Sequence, residues 1–143
     1  MGNRSLVIIK PDAVRRGLAD GILEVLTENG FVIDRKEERV LTKDTLLIHY
    51  SNLDNRPRIK EEVIEFMTSG PCIVMSVSHK DETVDVVSKL RVLVGATNPL
   101  DAMPGTIRAR FGTSTGFNAI HASDSVNSSI AEHNLHFPDR VVM

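Results

Sequence analysis

Residues 108–125 decide how the rest of the chain is interpreted: Arg-Ala-Arg-Phe-Gly-Thr-Ser-Thr-Gly-Phe-Asn-Ala-Ile-His-Ala-Ser-Asp-Ser. The centre of this stretch is His121, and a neutral imidazole is a competent nucleophile near pH 7. Arg108 contributes a planar guanidinium, which matches phosphoryl oxygens in pairs. The stretch therefore indicates a nucleophile beside a phosphate-binding charge. A hydrogen-bonded core or surface histidine is the alternative that these residues alone leave open.

Length and composition indicate a single domain over 1–143. The chain has 143 residues, of which 41% are apolar and 25% charged, and its formal net charge is -2. Because there is no excess of positive charge, nucleic acid is not an expected partner, and a function on free anions needs local positive charge. The single cysteine, Cys72, excludes an internal disulfide and suits a reducing compartment. No apolar run approaches the ~20 residues of a membrane span, so we expect a cytoplasmic protein without a membrane partner.

Apolar periodicity and turn residues predict the order of elements along the chain. Strands are predicted at 6–9, 31–40 and 72–77, with a further strand near His121. Helices are predicted to begin with Asp20, Thr42, Pro57, Asp81 and Ser125. The order strand, helix, strand, helix pair, strand, helix, strand is that of a ferredoxin-like split βαβ sandwich. We therefore predict the α+β class, a four-stranded and mainly antiparallel sheet with helices packed on one face.

Several segments together resemble a known family. Residues 118–125, Asn-Ala-Ile-His-Ala-Ser-Asp-Ser, are similar to the active-site signature of nucleoside diphosphate kinases, Asn-x-x-His-[Gly or Ala]-Ser-Asp. Lys-Pro-Asp-Ala-Val-Arg-Arg-Gly-Leu from Lys10, Arg-x-x-x-Gly-x-Thr-Asn-Pro from Arg91 and Pro-Gly-Thr-Ile-Arg ending at Arg108 resemble further motifs of that family. The matches run from Lys10 to Glu132 in the family's order and at nearly its spacing, which makes them specific together.

The resemblance implies an enzyme that transfers the γ-phosphate of a nucleoside triphosphate, typically ATP, to a nucleoside diphosphate. The implied route is a ping-pong mechanism through phosphorylated His121, with broad base specificity. Glu132 and Ser123 would fix the ring, and Lys10 would be the phosphate-contacting catalytic lysine. The other implied nucleotide contacts are Tyr50, Arg91, Thr97, Arg108 and Asn118.

The resemblance also implies a cofactor and an assembly. The cofactor is Mg²⁺, bound mainly through the nucleotide phosphates, with no metal site formed by protein ligands. The assembly is a homo-oligomer, either a hexamer or a tetramer. His133-x-x-His136 has metal-like spacing, but without a third candidate ligand nearby we expect no metal site there.

The helix that begins at Pro57 departs from the family pattern. Most members have Arg-Pro-Phe-Phe, whose first Phe stacks on the base, and a Leu one turn later. Counting back from Met67 puts Ile59 in the Phe position and Val63 in the Leu position, whereas counting forward from Pro57 puts Arg58 in the Phe position. Both alignments stay open. Because an aromatic platform is worth ~1–3 kcal/mol per base, we predict weaker nucleotide affinity with the mechanism intact.

Two other function classes need sequence features that this chain lacks. RNA-recognition domains share the predicted fold, but the chain has no Trp, one Tyr and five Phe, and these are not arranged in the strand pattern that RNA binding needs. A P-loop kinase needs Gly-x-x-x-x-Gly-Lys-[Ser or Thr], which the chain lacks. The remaining alternative is a catalytically weak family member that acts as an interaction or regulatory protein. It is motivated by the missing aromatic and by Ala109-Arg110 in place of the commoner Gly-Asp.

Overall fold

One antiparallel sheet forms the centre of the structure. The computed structural model describes residues 3–114 and 117–139, and within them the strands are β1 (Ser5–Ile9), β2 (Phe31–Arg39), β3 (Cys72–His79) and β4 (Ile120–Ala122). The spatial order is β2-β3-β1-β4, and each neighbouring pair is antiparallel. The predicted strands and the predicted α+β class with a four-stranded sheet are therefore confirmed.

Helices connect these strands and extend the chain beyond the last one. They are α1 (Pro11–Arg15), α2 (Ala19–Glu28), α3 (Lys43–His49), α4 (Pro57–Met67), α5 (Val86–Val94), α6 (Ile107–Phe111) and α7 (Val126–His136). Short 3₁₀ turns follow α3 and α5, at Ser51–Leu53 and Pro99–Asp101. Across 3–114 and 117–139, no helix combines the length and the apolar composition needed to cross a membrane.

Two of the predicted helix caps are confirmed. Thr42 Oγ1 accepts a hydrogen bond from Thr45 N at 3.2 Å at the start of α3. Ser125 Oγ accepts one from Ser128 N at 3.0 Å at the start of α7. Each bond satisfies a backbone donor that has no partner inside the helix.

Two other predicted caps are wrong. The cap position of α2 is Leu18, and Asp20 lies inside the first turn, where a negative charge is also favourable. Asp81 instead accepts hydrogen bonds from Thr83 in a tight turn. The cap of α5 is Asp85, which accepts a hydrogen bond from Ser88 N at 3.3 Å.

Helices cover both faces of the sheet, so the prediction of one covered face is wrong. Successive residues of β1 point to opposite faces. Val7 and Ile9 belong to a core formed with α2 and α5, whereas Leu6 and Ile8 belong to a second core formed with α3 and α4. The reason lies in the sequence of β1, since a continuous apolar run is typical of a strand that is buried on both sides.

The buried face of α4 also differs from the prediction. The spacing of Ile59, Val63 and Phe66 in the sequence predicts that these three side chains share the apolar face of α4. Instead, Ile64 and Met67 are buried in the second core, Val63 and Phe66 pack at its margin, and Ile59 is 43% exposed. Ile59 lies in the first turn of α4 and extends beyond the apolar surface that the last turns cover.

Candidate active site

His121 lies in the middle of β4, paired with Ile8 of β1, and lines a cleft of about 420 Å³. Residues from α5, α6 and α7, from the end of α3 and from the loop after α5 line the same cleft. The predicted site residues in that lining are Tyr50, Arg91, Thr97, Arg108, His121 and Glu132. A second groove lies along α3 and α4 and contains no predicted catalytic residue.

Glu132 holds one nitrogen of the His121 ring. Its Oε1 lies 3.1 Å from His121 Nε2 and accepts a hydrogen bond from Ser123 Oγ at 2.7 Å. Burial by itself would raise the pKa of Glu132, but the hydrogen bonds with His121 and Ser123 outweigh it and lower that pKa. An ionised carboxylate only accepts hydrogen bonds, so Nε2 carries the ring proton and Nδ1 keeps the lone pair.

Ser123 ties this arrangement to the central strand. Leu6 N donates to Ser123 Oγ at 3.0 Å, and Ser123 N donates to Leu6 O at 3.1 Å. Ser123 is fully buried, whereas the His121 side chain is 18% exposed. The ring is therefore anchored on the protein side and open on the cleft side.

Asp12 fixes the backbone just before His121, a role that sequence reasoning missed. Ala119 has a φ of 73°, which costs a residue with a Cβ roughly 1–2 kcal/mol. Its N–H donates to Asp12 Oδ2 at 3.1 Å, and its carbonyl accepts from Lys10 N at 2.8 Å. In the sequence, this role of Asp12 could have been inferred from its position directly after Lys10-Pro11 in the quoted motif.

Lys10 does not line the cleft, but its charge interacts with Arg108 and His49, which do, and a neutral partner holds it. Its Nζ donates to Asn118 Oδ1 at 2.8 Å, and Asn118 Nδ2 donates to Thr97 O at 3.1 Å. Burial, and next the charge of Arg108, lower the pKa of Lys10 to about 8, while the charge of Asp12 partly opposes both. Asn118 thus positions Lys10 and the loop that contains Thr97.

Arg108 is buried and bonded to backbone carbonyls. Its guanidinium donates to Gly95 O at 3.2 Å and to Ile120 O at 2.9 Å, while its Nε has no hydrogen-bond partner in the described structure. Burial, together with the charge of Arg91, lowers the pKa of Arg108 to about 10. The side chain is therefore charged at neutral pH.

Positive charge at this cleft is not neutralised by carboxylates. Within residues 3–114 and 117–139, no carboxylate oxygen lies within 4.0 Å of the charged nitrogens of Lys10, Arg91 or Arg108. Cations that have no carboxylate partner in the described structure, beside an open cleft, form a site for an anion. A phosphate group suits the guanidinium geometry of Arg108.

Tyr50 adds a hydroxyl donor at the end of α3. The hydroxyl is buried and has no hydrogen-bond partner among the residues that the structure describes. Burial, and next the charge of Glu132, raise the pKa of Tyr50, so the hydroxyl keeps its proton. It is therefore a buried donor without a partner in the described structure, on a residue that lines the cleft.

Arg58, Ile59 and Val63 are not brought to the cleft. The Arg58 side chain is 94% exposed and lies 3.8 Å from Glu62, one turn along α4. Ile59 is 43% exposed, and Val63 packs against the second core. Contact of these three residues with a base stays a prediction.

His49 and His136 extend the site beyond the predicted residues. The rings of His49 and His121 meet edge to face at 4.7 Å, and His49 Nδ1 lies 2.8 Å from His136 Nε2. Burial, with the nearby charge of His121, lowers the pKa of His49 to about 2 and that of His136 to about 4. In the sequence, His136 could have been found from its spacing. It lies one helical turn after Glu132 and therefore on the same face of α7.

The metal-like spacing of His133 and His136 does not form a ligand pair. His133 bonds to Ser76 Oγ at 2.8 Å and to Ser129 O at 2.7 Å, and His136 bonds to His49. The two imidazoles therefore serve different contacts. Within the described parts of the chain, the group with metal-ligand geometry is instead His49, His121 and Glu132.

Comparison with known proteins agrees with this geometry. The sequence profile of the family described as nucleoside diphosphate kinase matches residues 3–142. The chain belongs to the nucleoside diphosphate kinase family. One relative, the nucleoside diphosphate kinase of Streptomyces avermitilis, is 42% identical over 99% of this chain and 100% of its own length. Another, from Brugia malayi, is 42% identical over 90% of this chain and 81% of its own length.

Solved structures of the nucleoside diphosphate kinase family show the same fold. The crystal structure of the Encephalitozoon cuniculi enzyme has a TM-score of 0.89 at 37% identity and covers 99% of this chain and 92% of that one. The Aquifex aeolicus enzyme has a TM-score of 0.87 at 34% identity, with 99% of both chains covered. These comparisons confirm the predicted family and the predicted fold class. They also confirm the predicted enzyme class, a nucleoside diphosphate kinase.

Proposed function

We propose that this family member transfers the γ-phosphate of a nucleoside triphosphate, typically ATP, to a nucleoside diphosphate by a ping-pong mechanism through phosphorylated His121. One observation carries the proposal. His121 keeps a lone pair on Nδ1, and it lines the same cleft as Arg91 and Arg108, beside which Lys10 lies, with no carboxylate pairing these cations in the described structure.

Each half-reaction moves one phosphoryl group. In the first, the Nδ1 lone pair attacks the γ-phosphorus, the N–P bond forms, and the bond to the bridging oxygen breaks, so that the diphosphate leaves with the electron pair. In the second, a terminal oxygen of another nucleoside diphosphate attacks that phosphorus. The N–P bond then breaks, and the ring recovers its lone pair.

Glu132 stabilises the charge that forms on the ring. When Nδ1 bonds to phosphorus while Nε2 keeps its proton, the imidazole becomes positive. The Glu132 carboxylate, 3.1 Å from Nε2, favours that state, and Ser123 keeps the accepting oxygen in place. The same contact fixes the tautomer before the reaction.

The three cations act on the phosphate oxygens. Charge in the transferring group is spread over its equatorial oxygens, so fixed positive groups stabilise the transition state. Arg108 is held by two carbonyls and Lys10 by Asn118, so neither needs to reorganise during the reaction. Tyr50 offers a neutral donor to the same oxygens.

Mg²⁺ fits this cleft as part of the nucleotide. The carboxylates that line the cleft are Asp124 and Glu132, and Glu132 is already engaged by His121 and Ser123. Asp124 is exposed and is the residue that would hold the ion from the protein side. Held mainly by the nucleotide phosphates, the ion would neutralise part of their charge.

Broad base specificity is supported by the hydrogen bonds that the polar side chains of the site already make within the protein. Asn118 is used by Lys10 and by the carbonyl of Thr97, and Arg108 is used by backbone carbonyls. Neither is free to read the edge of a base. The phosphates therefore supply the fixed contacts, and the base is expected to vary.

A homo-oligomer, hexamer or tetramer, is part of the proposal, as is a cytoplasmic location. Large apolar side chains remain exposed on α5 and on the loop after it, with Val92 at 77%, Leu100 at 84% and Met103 at 73%. Apolar side chains left in solvent mark surfaces that association can cover. Light scattering of the purified protein measures the subunit number directly.

A phosphoenzyme assay tests the mechanism. We expect γ-labelled ATP to label the protein, the label to be lost in acid and kept in alkali, and GDP to remove it as GTP. His121→Ala should abolish labelling, whereas His79→Gln, which changes a histidine outside the cleft, should label normally. An unlabelled wild type, or label retained in His121→Ala, contradicts the proposal and favours a catalytically weak interaction or regulatory protein.

A further inference from the structure

We propose that His49, His121 and Glu132 form a binding site for a divalent transition ion of the Zn²⁺ class. One ligand atom from each residue lies within 4.8 Å of the other two. Two imidazoles and one carboxylate are a ligand set that suits zinc. This site is separate from the Mg²⁺ that the nucleotide carries, since Mg²⁺ prefers oxygen ligands and keeps several waters.

The distances are close to those that a zinc ion needs. With bonds of about 2.0–2.1 Å, neighbouring ligand atoms of a tetrahedral centre lie roughly 3.3 Å apart. His121 Nε2 lies 3.1 Å from Glu132 Oε1, and His49 Nε2 lies 4.0 Å from Glu132 Oε2. Each imidazole thus approaches a different oxygen of the same carboxylate, and the ligand atoms, which lie within 4.8 Å of one another, must draw together to surround one ion.

The second partner of each ligand is also in place. Ligating imidazoles usually donate their other N–H to an acceptor, which fixes the ring. His49 Nδ1 lies 2.8 Å from His136 Nε2, which can accept that bond, and Ser123 donates to Glu132 Oε1. All three residues line the cleft, which is the route by which an ion and a fourth ligand such as water would reach them.

Charge limits the affinity but does not exclude the site. Lys10 and Arg108 repel a cation in this cleft, and Glu132 supplies the one negative charge in the ligand set. Neutral imidazole ligands carry most of the coordination. We therefore expect binding when nucleotide is absent and competition when nucleotide, which chelates the same ions, is present.

Metal binding at this site would switch off the nucleophile. A neutral imidazole has one lone pair, so an ion on Nε2 of His121 obliges the ring proton to move to Nδ1. Nδ1 then has no lone pair with which to attack phosphorus. This consequence rests on the proposed function, whereas the binding itself does not.

A titration without nucleotide tests the binding. We expect one Zn²⁺ per chain by calorimetry, and with Co²⁺ the intense visible absorption of a four- or five-coordinate ion, which Zn²⁺ displaces. His49→Gln and Glu132→Gln should each weaken binding by at least the roughly 10–100-fold that outer-shell changes cause. His136→Gln should weaken it within that range, and His79→Gln, remote from the cleft, should leave it within twofold.

The outcomes separate this inference from the proposed function. Equal Zn²⁺ affinity in wild type and in both ligand variants, or the weak absorption of six-coordinate Co²⁺ in the wild type, overturns the site. The Co²⁺ spectrum uses the wild type, so it decides even if a variant fails to fold. Zn²⁺ binding without a phosphoenzyme would contradict only the proposed function, and a phosphoenzyme without Zn²⁺ binding would contradict only the site.

Discussion

Around His121, the buried side chains are bonded to distant parts of the chain, whereas the side chains at the start of α4 face solvent. Lys10 Nζ lies 2.8 Å from Asn118, and Arg108 donates to carbonyls on two other segments. On α4, Arg58 is 94% exposed and its neighbour Glu62 is an ion-pair partner at 3.8 Å. An exposed pair one helical turn apart contributes only ~0.3–0.5 kcal/mol.

The difference shows where the chain can vary. Chemistry at phosphorus needs reacting groups held in place to within a fraction of an ångström, and bonds to the backbone supply that accuracy. A base can be covered by any flat or apolar surface, so its contacts need less precision. The departures from the family pattern, at Arg58 and Ile59, lie at the start of α4, where the side chains face solvent and have few fixed contacts.

Removing Arg108 should have the largest effect. Arg108→Ala deletes the fixed donor that we propose for the transferring phosphate, and such a loss typically lowers kcat by about 10²–10³-fold. It also leaves the carbonyls of Gly95 and Ile120 without their donor, so the melting temperature should fall. Steady-state kinetics with ATP and a second diphosphate measure the first effect, and calorimetry measures the second.

Arg110→Ala is the matched control for this prediction. Arg110 lies on the same helix, is exposed, and stacks over the Phe111 ring at 5.1 Å. We expect its kcat/KM to stay within about threefold of wild type, as is usual for surface substitutions. Similar losses of activity in the two variants would contradict the prediction, because the fixed contacts of Arg108 would then make no difference.

Acid should destabilise the histidine side of the cleft. The pKa of His136 is about 4 in the folded protein and about 6.5 when unfolded, so the unfolded state takes up a proton first as the pH falls. Stability is therefore lost from pH 6.5 downward, by about 1.4 kcal/mol per pH unit for this histidine. Between pH 7 and 5, His136→Gln should lose about 2 kcal/mol less unfolding free energy than wild type.

Urea denaturation at the two pH values measures this difference. Arg58→Gln on α4 changes a side chain that is away from the histidines, so it should lose as much stability in acid as wild type. If His136→Gln and wild type lose the same amount of unfolding free energy, the buried neutral state of His136 does not contribute to the loss of stability in acid.

Alkaline pH should weaken nucleotide binding through Lys10. Because its pKa is lowered to about 8, the ammonium is lost in the free enzyme above that pH, and the phosphates must bind a neutral amine or restore the proton. The dissociation constant for ATP should therefore rise about tenfold between pH 7 and 9. Lys10→Met should bind weakly with little pH dependence, and Arg58→Gln should follow wild type. A flat profile in wild type would contradict the prediction.

The fold was predictable wherever a short stretch carries its own signal. Thr42 and Ser125 cap helices through bonds within three residues, so the local sequence suffices. Asp81 and Asp85 show the limit, because both are good caps and only the tertiary structure decides which one begins α5. The apolar run of β1 indicates that both faces of the sheet are covered, but which helices cover each face depends on contacts far along the chain.

Motifs in the sequence predicted the members of the candidate site but not the contacts that support them. The motifs indicated His121, Glu132 and Arg108, whose distances and shared cleft the structure now gives. His49 and His136 come from separate helices and meet only in the folded chain, 2.8 Å apart. No local pattern relates two positions on different helices, so such pairs require coordinates.

The smallest expected effect comes from restoring an aromatic to α4. If Ile59 faces the base, Ile59→Phe gains part of the ~1–3 kcal/mol that stacking contributes, and about 1 kcal/mol corresponds to roughly fivefold tighter nucleotide binding. Arg58→Phe, one residue earlier and far more exposed, should gain less than twofold. Fluorescence titrations of both variants with ATP and with GTP measure the gain and show whether it depends on the base. Tightening by Arg58→Phe alone would place the base against Arg58, and no tightening in either variant would mean that α4 does not form the base-binding wall.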